Sequence, residues 1–307
     1  MKNFILRLIT FFIITCLIGE FIIRVYKLTP DIPQRFIDET GIQRYKPEQT
    51  GYYTKSDTKW RINKYGWMGV ADTTYGKTIA VIGDSYIENI MNPISCNQGV
   101  ILKSYFDDIG FFEAGRSGVS FIEGMEITKL LKPIIQPQFY LLYVSSNDFY
   151  ESFSNKIRYF DRMQIDLKNK TILKAKLKNP TLKKFLYSSK LLYYMYLRFP
   201  LLVENQNKGE IITLAPKNNT FDQLNFNKLF EYSVNNYDVE KIILIFHPGT
   251  QKEIISTANE YGFQTVELNS EGDQSWGLGS HDGHWSCYGH SQVAKQVKTY
   301  LNTVIVQ

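Results

Sequence analysis

Short apolar runs alternate with amphipathic stretches along most of this chain. Five of the runs have the length of buried strands and end in glycine or polar residues, which mark turns. Between them, apolar residues recur every three or four positions, which is typical of helices that pack on one face. The predicted strands span residues 78–82, 110–113, 138–144, 241–246 and 265–268, and the predicted helices span 99–106, 122–131, 224–234, 251–261 and 289–301.

This alternation predicts an α/β fold, in which a mainly parallel five-stranded sheet lies between two layers of helices. The 307 residues are 44% hydrophobic, which is enough for one substantial core. We expect residues 76–307 to form this domain. Residues 28–75 precede it as an extension, in which three prolines disfavour long helices. The segment 59–67 predicts a short strand and turn, which either packs on the domain edge or lines a cleft.

The apolar sequence at the N-terminus predicts a membrane helix over residues 1–27. Its charge-free core, from Leu8 to Gly19, is as long as the apolar region of a signal peptide, whereas a full span needs about 20 residues. Arg7 and Arg24 lengthen the span because their side chains can reach opposite interfaces. No small-x-small cleavage site follows, so we expect a retained anchor with a periplasmic or extracellular C-terminal domain. A cleaved signal peptide and a buried helix of the soluble domain are the alternatives.

The stretch 151–223 has no place in the regular alternation of strands and helices. Ten Lys and Arg residues lie between positions 156 and 184 beside only two Asp, and an aromatic-rich helical pattern follows at 190–198. We expect an inserted lid after the third strand, near the functional site. Its basic face is either simply solvated or a surface for an anionic glycan or for phospholipid headgroups.

Polar clusters follow the first three predicted strands, and a fourth precedes the last helix. They contain Ser85, Ser117-Gly118, Asn147, and the pair Asp282 and His284. In open parallel sheets the ligand crevice lies outside the carboxyl ends of the strands, so these side chains are expected to meet there. A serine at such a strand-to-helix turn becomes a nucleophile when a base and oxyanion donors stand beside it.

The four clusters resemble the blocks of the SGNH hydrolase family, also called the GDSL esterases, over roughly residues 76–303. The resemblance implies a three-layer αβα sandwich with a flavodoxin-like sheet and serine chemistry on ester bonds. Three residues depart from the usual pattern, namely Tyr86 after the serine, Glu113 where the second block often has Asn, and Ser145 in place of the usual Gly of the third. The two-residue spacing from Asp282 to His284 is similar to that of some polysaccharide O-acetyltransferase members.

The resemblance also implies the role of each residue. Ser85 would be the nucleophile, His284 the general base and Asp282 the acid that orients the imidazole. The backbone N–H groups of Ser85 and Gly118 and the side-chain amide of Asn147 would form the oxyanion hole.

The close spacing of Asp282 and His284 requires a local explanation. We expect Gly283 to let the loop bend tightly through a positive φ, which would make Gly283→Val damaging. A Ser–His dyad, or an acid from elsewhere such as Asp273, is the alternative.

Several neighbouring residues have competing interpretations. His281, His284, Cys287 and His290 recur every third residue, but Gly283 and Gly289 indicate a loop, and catalytic zinc usually takes ligands from separate elements. We therefore expect no metal, and no motif indicates a cofactor.

The other candidates are mainly structural. We expect His247 and His290 to pack within the domain. Cys96 and Cys287 can form a disulfide if the domain is exported, although the sequence does not determine their distance. Ser117 is a rival nucleophile that lacks a strand-to-helix turn with an acidic neighbour.

The sequence thus predicts a membrane-anchored serine esterase or O-acyltransferase that adds or removes acyl groups, chiefly acetyl, on a cell-envelope polysaccharide. A lipid or thioester hydrolase is the alternative among enzymes, and an inactive glycan-binding module is the alternative from another class. The expected partners are an acylated glycan or other ester and the membrane. The net charge of +5 comes without a zinc finger or basic stripe, so we expect no nucleic acid. The oligomeric state and the acyl acceptor stay open.

Overall fold

Strands and helices alternate along the chain as the hydrophobic pattern predicts. The computed structural model describes residues 1–53, 58–155, 157–199, 221–279 and 282–305. Its strands are β1 (Arg35–Ile37), β2 (Gln43–Tyr45), β3 (Thr50–Tyr52), β4 (Lys59–Arg61), β5 (Lys77–Gly83), β6 (Ile109–Gly115), β7 (Phe139–Val144), β8 (Gln164–Asp166), β9 (Thr171–Leu173), β10 (Ile242–Phe246), β11 (Gln264–Glu267), β12 (Gly277–Gly279) and β13 (Asp282–Trp285). Its α-helices are α1 (Lys2–Val25), α2 (Ser85–Glu88), α3 (Gln98–Lys103), α4 (Phe121–Ile135), α5 (Ser146–Ser152), α6 (Pro180–Ser188), α7 (Lys190–Arg198), α8 (Gln223–Asn236), α9 (Lys252–Glu260) and α10 (Cys287–Ile305).

The central sheet contains the five predicted strands in the order β11-β10-β7-β5-β6, and every pair is parallel. This is the flavodoxin-like order, in which the first strand of the fold lies between the second and the third. The predicted α/β fold is therefore confirmed. The strand bounds differ most at β6, which continues to Gly115.

Alternate residues of β5 enter two separate cores, because successive side chains of a strand point to opposite faces. Ala80 and Ile82 belong to the cluster that α4, α8 and α9 cover, and Ile79 and Val81 belong to the cluster that α3 and α10 cover. All four side chains are fully buried. Burial on both faces explains why the strand is a continuous apolar run.

The N-terminal extension packs along the β6 edge of the sheet. Its hairpin of β3 and β4 and its pair of β1 and β2 lead into two single bridges, Met68 to Gly115 and Ala71 to Phe112. Trp60 and Trp67 of the extension are buried. The extension therefore protects an edge strand that would otherwise present unpaired backbone groups.

Glu113, the departure in the second block, binds this extension to the domain. Its buried carboxylate accepts the N–H of Val70 at 2.8 Å, the N–H of Gly99 at 2.7 Å and the side-chain amide of Asn97 at 3.2 Å. Burial raises the pKa of Glu113 to about 7. Its partners belong to the extension and to the start of α3, so the side chain serves packing.

The described parts of the insertion, residues 151–223, pack at two different places on the protein. The aromatic-rich pattern forms α7, which packs against α1 and the extension, where Lys190 Nζ donates to the carbonyl of Pro30 at 2.8 Å. The segment near Arg162 instead approaches the loop after β6, because Ser120 Oγ donates to the carbonyl of Met163 at 2.8 Å. The aromatic helix expected in the lid is therefore a neighbour of α1, and residues 156 and 200–220 lie outside the described residues.

Cys96 and Cys287 form a disulfide, with their Cα atoms 5.1 Å apart. It closes a loop of 191 residues and joins the segment after α2 to the first residue of α10. Cys287 lies three positions after His284, so the bond connects the part of the chain that carries His284 to the part that follows Ser85.

Removing this disulfide should lower stability. The double variant Cys96→Ala/Cys287→Ala is expected to lose about 2–5 kcal/mol of unfolding free energy, since the crosslink restricts the unfolded chain. Urea unfolding of the full chain in detergent micelles measures the loss. Cys16→Ala, which removes the free thiol in α1, is the matched control and should leave the midpoint unchanged. Equal midpoints for the double variant and the wild type would contradict the pairing.

Candidate active site

Ser85 is the first residue of α2, directly after the turn that ends β5. Asp84 shapes this turn, because its carboxylate accepts the backbone N–H of Tyr86 at 3.0 Å as the cap of the helix. The strand-to-helix turn is the one that the sequence predicts. It presents the serine hydroxyl at the carboxyl edge of the sheet, beside the strands that flank β5.

His284 stands between Ser85 and Asp282. Its Nε2 lies 2.8 Å from Ser85 Oγ, and its Nδ1 lies 2.6 Å from Asp282 Oδ1. The His284 side chain is 32% exposed and that of Asp282 41% exposed, so a substrate can reach both from solvent. Ser85 thus meets His284, which is 199 positions away in the sequence, and Asp282 completes a hydrogen-bonded line of three side chains. This arrangement can move a proton from the hydroxyl to the imidazole.

The spacing of Asp282 and His284 has a different cause from the expected one. Both residues lie in β13, and Gly283 between them has no positive φ. Residues i and i+2 of a strand project from the same face, so the two side chains meet without a tight bend. Asp282 also accepts the backbone N–H of His284 at 3.1 Å. The predicted tight loop at Gly283 is therefore wrong.

The candidate oxyanion donors follow the two strands beside β5. Gly118 comes after β6 and Asn147 lies in the first turn of α5, after β7. The sheet register pairs Gly83 with Gly115 and Ile82 with Leu142, so both donors lie at the edge that carries Ser85.

A capping box fixes the first turn of α5, because Asp148 accepts the N–H of Ser145 at 2.6 Å and its hydroxyl at 2.9 Å. Asn147 is exposed within this turn. Within the residues that the structure describes, neither its amide nor the N–H of Gly118 has an acceptor. Both donors are therefore available to a ligand oxygen.

Arg162 is a neighbour of the site that the sequence did not single out. A Cβ atom on Gly118 would lie 3.2 Å from its Nη2, so the guanidinium borders the candidate oxyanion loop. Glu151 forms an ion pair with it and the ring of Tyr159 lies 4.7 Å away. Burial acts to lower the pKa of Arg162, and the charges of Glu151 and Asp161 more than offset this, so the net shift is upward. Only the tertiary fold brings this part of the insertion to the site.

Tyr86, the departure after the serine, supports the strand that carries His284. Its hydroxyl donates to the carbonyl of Gly283 at 3.2 Å, and its ring lies 5.0 Å from the His284 ring and 4.4 Å from the His247 ring. Burial and the nearby Asp84 carboxylate raise the pKa of Tyr86 to about 12, so it remains a donor. A leucine could pack here but could not make this hydrogen bond.

Two carboxylates lie beneath the candidate nucleophile. Burial raises the pKa of Asp148 well above its usual value, and the charge of Asp84 raises it further. Burial also raises the pKa of Asp84, although its hydrogen bond from Tyr86 and the nearby His284 oppose the shift. Asp84 caps the start of α2 by accepting the N–H of Tyr86, and Asp148 closes the capping box of α5 by accepting the N–H of Ser145.

The rival candidates have partners elsewhere. Ser117 donates its hydroxyl to Glu88, and Asp273 accepts the N–H and hydroxyl of Ser275 at 2.9 and 2.6 Å. Burial lowers the pKa of His247 to about 3, and its ring packs 4.7 Å from Trp285. A packing role is therefore sufficient for His247.

The residues considered as metal ligands also have other partners. Cys287 is paired in the disulfide, and buried His290 faces Gln98, with 3.0 Å between Nδ1 and Nε2. Among the described residues, no three His, Cys, Asp or Glu side chains could together hold a metal ion. His281 lies outside these residues.

The glycines on either side of the site should respond differently to alanine. Gly118→Ala is expected to cost about 1–2 kcal/mol, because Gly118 has a φ of +78° that disfavours a side chain. It should also slow ester hydrolysis, because relief of this strain would move the N–H of Gly118, a candidate oxyanion donor. Gly283→Ala is the matched control and should keep both stability and activity, since its Cβ would lie 3.7 Å from Tyr86 Oη. Thermal unfolding and hydrolysis of p-nitrophenyl acetate measure the two effects; a larger loss at Gly283 would contradict the strand geometry.

Asp282→Asn should preserve the melting temperature and lower kcat strongly, because the imidazole then adopts the wrong tautomer. The equivalent change in a serine protease lowers kcat by about 10⁴. The double variant with His284→Ala should lose little more than His284→Ala alone, since the residues act as one unit. A loss below about tenfold for Asp282→Asn would indicate a Ser–His dyad.

Comparison with known proteins gives matches at the level of solved structures. No protein-family model and no curated protein matches the chain. A lipase/acylhydrolase from Enterococcus faecalis is 14% identical with a TM-score of 0.40, and the alignment covers 74% of this chain and 96% of that one. A putative GDSL-like lipase from Bacteroides ovatus is 14% identical with a TM-score of 0.37, covering 74% and 98%.

A family 3 carbohydrate esterase from Clostridium thermocellum is 12% identical with a TM-score of 0.38, and the alignment covers 74% of this chain and 96% of that one. These three structures are thus described as a lipase/acylhydrolase, a GDSL-like lipase and a carbohydrate esterase.

Proposed function

We propose that this protein is a membrane-anchored serine esterase or O-acyltransferase that acts on acyl groups, chiefly acetyl, of a cell-envelope polysaccharide. The observation that carries the proposal is the contact of His284 with Ser85 at 2.8 Å and with Asp282 at 2.6 Å. A packing role alone does not require a hydroxyl, an imidazole and a carboxylate in line at a solvent-accessible sheet edge. An inactive glycan-binding module would have no use for this line.

In the proposed mechanism, His284 Nε2 accepts the proton of Ser85 as Oγ attacks the acyl carbonyl carbon. Asp282 holds the other ring nitrogen as N–H and stabilises the imidazolium. The backbone N–H groups of Ser85 and Gly118 and the amide of Asn147 stabilise the oxyanion, and loss of one such donor costs roughly 3–4 kcal/mol of barrier. His284 then protonates the leaving alcohol, which gives an acyl group on Ser85.

The second half of the reaction passes the acyl group to an acceptor hydroxyl. His284 removes a proton from water or from a sugar hydroxyl, the oxygen attacks the acyl carbon, and Ser85 regains its proton. Water gives hydrolysis and a sugar hydroxyl gives acyl transfer. The partial exposure of His284 and Asp282 supports a bulky polymeric substrate, because neither side chain lies at the base of a closed tunnel.

An exported, anchored state is supported by two independent features. Helix α1 has 24 residues with a mean hydropathy of 2.2 in its most apolar window, which by length and composition suffices to cross a membrane. The Cys96–Cys287 disulfide belongs to oxidising compartments, such as the periplasm or cell surface. A lipid or thioester hydrolase is the second candidate. The exposed apolar side chains that lie beside α1 favour it.

A fluorophosphonate probe should label the wild-type chain and fail to label Ser85→Ala. Ser117→Ala is the matched control and should label fully, since its hydroxyl pairs with a carboxylate rather than with His284. Ser85→Ala should also stop acetate release from acetylated polysaccharide and leave the melting temperature unchanged. Labelling of Ser85→Ala, or retention of more than about a tenth of the activity, would exclude Ser85 as the nucleophile.

A further inference from the structure

One stripe of α1 is covered by the rest of the protein. Cys16, Gly19, Glu20 and Ile23 are partly or fully shielded, and the remaining residues of this helix are exposed. These positions recur every three or four residues and so form a single face. Helix α7 lies on this face, because the Cδ1 atom of Leu191 is 3.3 Å from where a Cβ atom of Gly19 would be.

Polar groups fasten the start of α7 to the outer turns of α1. The Glu20 carboxylate accepts the backbone N–H groups of Lys190 at 3.0 Å and Leu191 at 2.6 Å, and so satisfies donors that a helix start leaves free. Arg24 donates to the carbonyl of Ser188 at 3.0 Å. Two charged residues of the apolar helix thus have partners in the insertion, which a cleaved signal peptide would not need.

This attachment determines the depth of α7 in a bilayer. Gly19 lies about 9 Å below Val25 along the axis of α1, at a rise of 1.5 Å per residue. The hydrocarbon core is about 30 Å thick, so α1 can cross it with Val25 near the surface. A helix that contacts Gly19 and Glu20 then lies at the level of the headgroups and the adjoining acyl chains.

The surface of α6 and α7 is suited to that level. Seven of the fifteen large apolar side chains that are exposed outside residues 1–28 of the described chain lie between positions 182 and 199. They are Leu182, Phe185, Leu192, Met195, Tyr196, Leu197 and Phe199. No acidic residue occurs from 180 to 199, whereas Lys183, Lys184 and Arg198 accompany the apolar side chains. Apolar and aromatic side chains among cations are typical of helices that lie in a membrane interface.

A basic cavity of about 640 Å³ adjoins α6, between the insertion and the N-terminal extension. Its lining includes the cations Arg35, Lys46, Lys178, Lys183 and Lys184 and one acid, Asp161. The cavity is therefore suited to a phosphate-bearing group. Its place beside the exposed Leu182 and Phe185 favours a phospholipid headgroup over a glycan, since a glycan would leave these side chains in water.

We propose that the α6–α7 hairpin (residues 180–199) is an interfacial membrane-docking element, and that the adjoining basic cavity binds the headgroup of an anionic phospholipid. The inference rests on the proposed insertion of α1. The α6–α7 hairpin then holds the catalytic domain close against the bilayer in one orientation. This limits the substrates that reach Ser85 to those near the membrane surface.

The test places an environment-sensitive fluorophore on single cysteines of the full chain, in a Cys16→Ser background, in nanodiscs of phosphatidylcholine with phosphatidylglycerol. Leu182→Cys carries the test label. Leu224→Cys is the matched control on α8, because both leucines are 63% exposed. Phe12→Cys reports the insertion of α1 itself. The label at 182 should emit at shorter wavelength than the label at 224 and be quenched by lipids with a shallow spin label.

The labels at 12 and 182 test the membrane insertion of α1 and the docking element separately. A buried label at 12 with a water-exposed label at 182 would overturn the docking element and leave the anchor intact. Water-exposed labels at both positions would overturn both.

Charge provides the second arm of the test. Replacing phosphatidylglycerol by phosphatidylcholine should shift the emission at 182 toward that at 224. Lys183→Gln/Lys184→Gln should abolish this lipid dependence, whereas the control Lys168→Gln/Lys170→Gln, on the exposed turn after β8, should retain it. The emission at 182 could instead shift only when an anionic polysaccharide is added and be independent of lipid charge. That result would identify a glycan surface and refute the proposal.

Discussion

The parallel register of β5 between β6 and β7 is the constraint on which the rest of the molecule depends. Gly83 pairs with Gly115, and Ile82 pairs with Leu142, so the chain leaves these strands at one edge of the sheet. Parallel strands require crossover helices, and these helices bury both faces of the sheet in the two cores. The loops at the carboxyl edge are consequently the parts left free to carry polar side chains.

His284 lies at this edge but does not belong to the central sheet. It belongs to the β12–β13 hairpin, which lies outside the sheet. The Tyr86 hydroxyl holds the carbonyl of Gly283, and the disulfide at Cys287 ties the following helix to the segment after α2. Both restraints originate in the part of the chain that carries Ser85, so the distance between imidazole and hydroxyl is set locally despite the long sequence separation.

The insertion connects the site to the N-terminal helix. Arg162 borders Gly118 at one end of the insertion, and α7 is capped by Glu20 of α1 at the other. Two of the charged residues that weaken α1 as a simple apolar span, Glu20 and Arg24, contact the insertion. The Glu20 carboxylate accepts two backbone N–H groups at the start of α7, and its charge makes these hydrogen bonds stronger than those to a neutral side chain.

The sequence alone determined the fold class and the neighbourhood of the site. Apolar runs ending in Gly-Asp-Ser and Ser-Ser-Asn-Asp predict strands that deliver polar residues to one edge, because strand period and turn chemistry are local properties. Only the tertiary structure decided what distant segments do. The β13 strand that aligns Asp282 with His284, the place of Arg162 beside Gly118 and the packing of α7 on α1 depend on contacts between residues far apart in the chain. The pairing of two cysteines 191 positions apart does so as well. Hydrophobic periodicity carries no information on such distances, since it specifies which face of an element is buried and not which partner buries it.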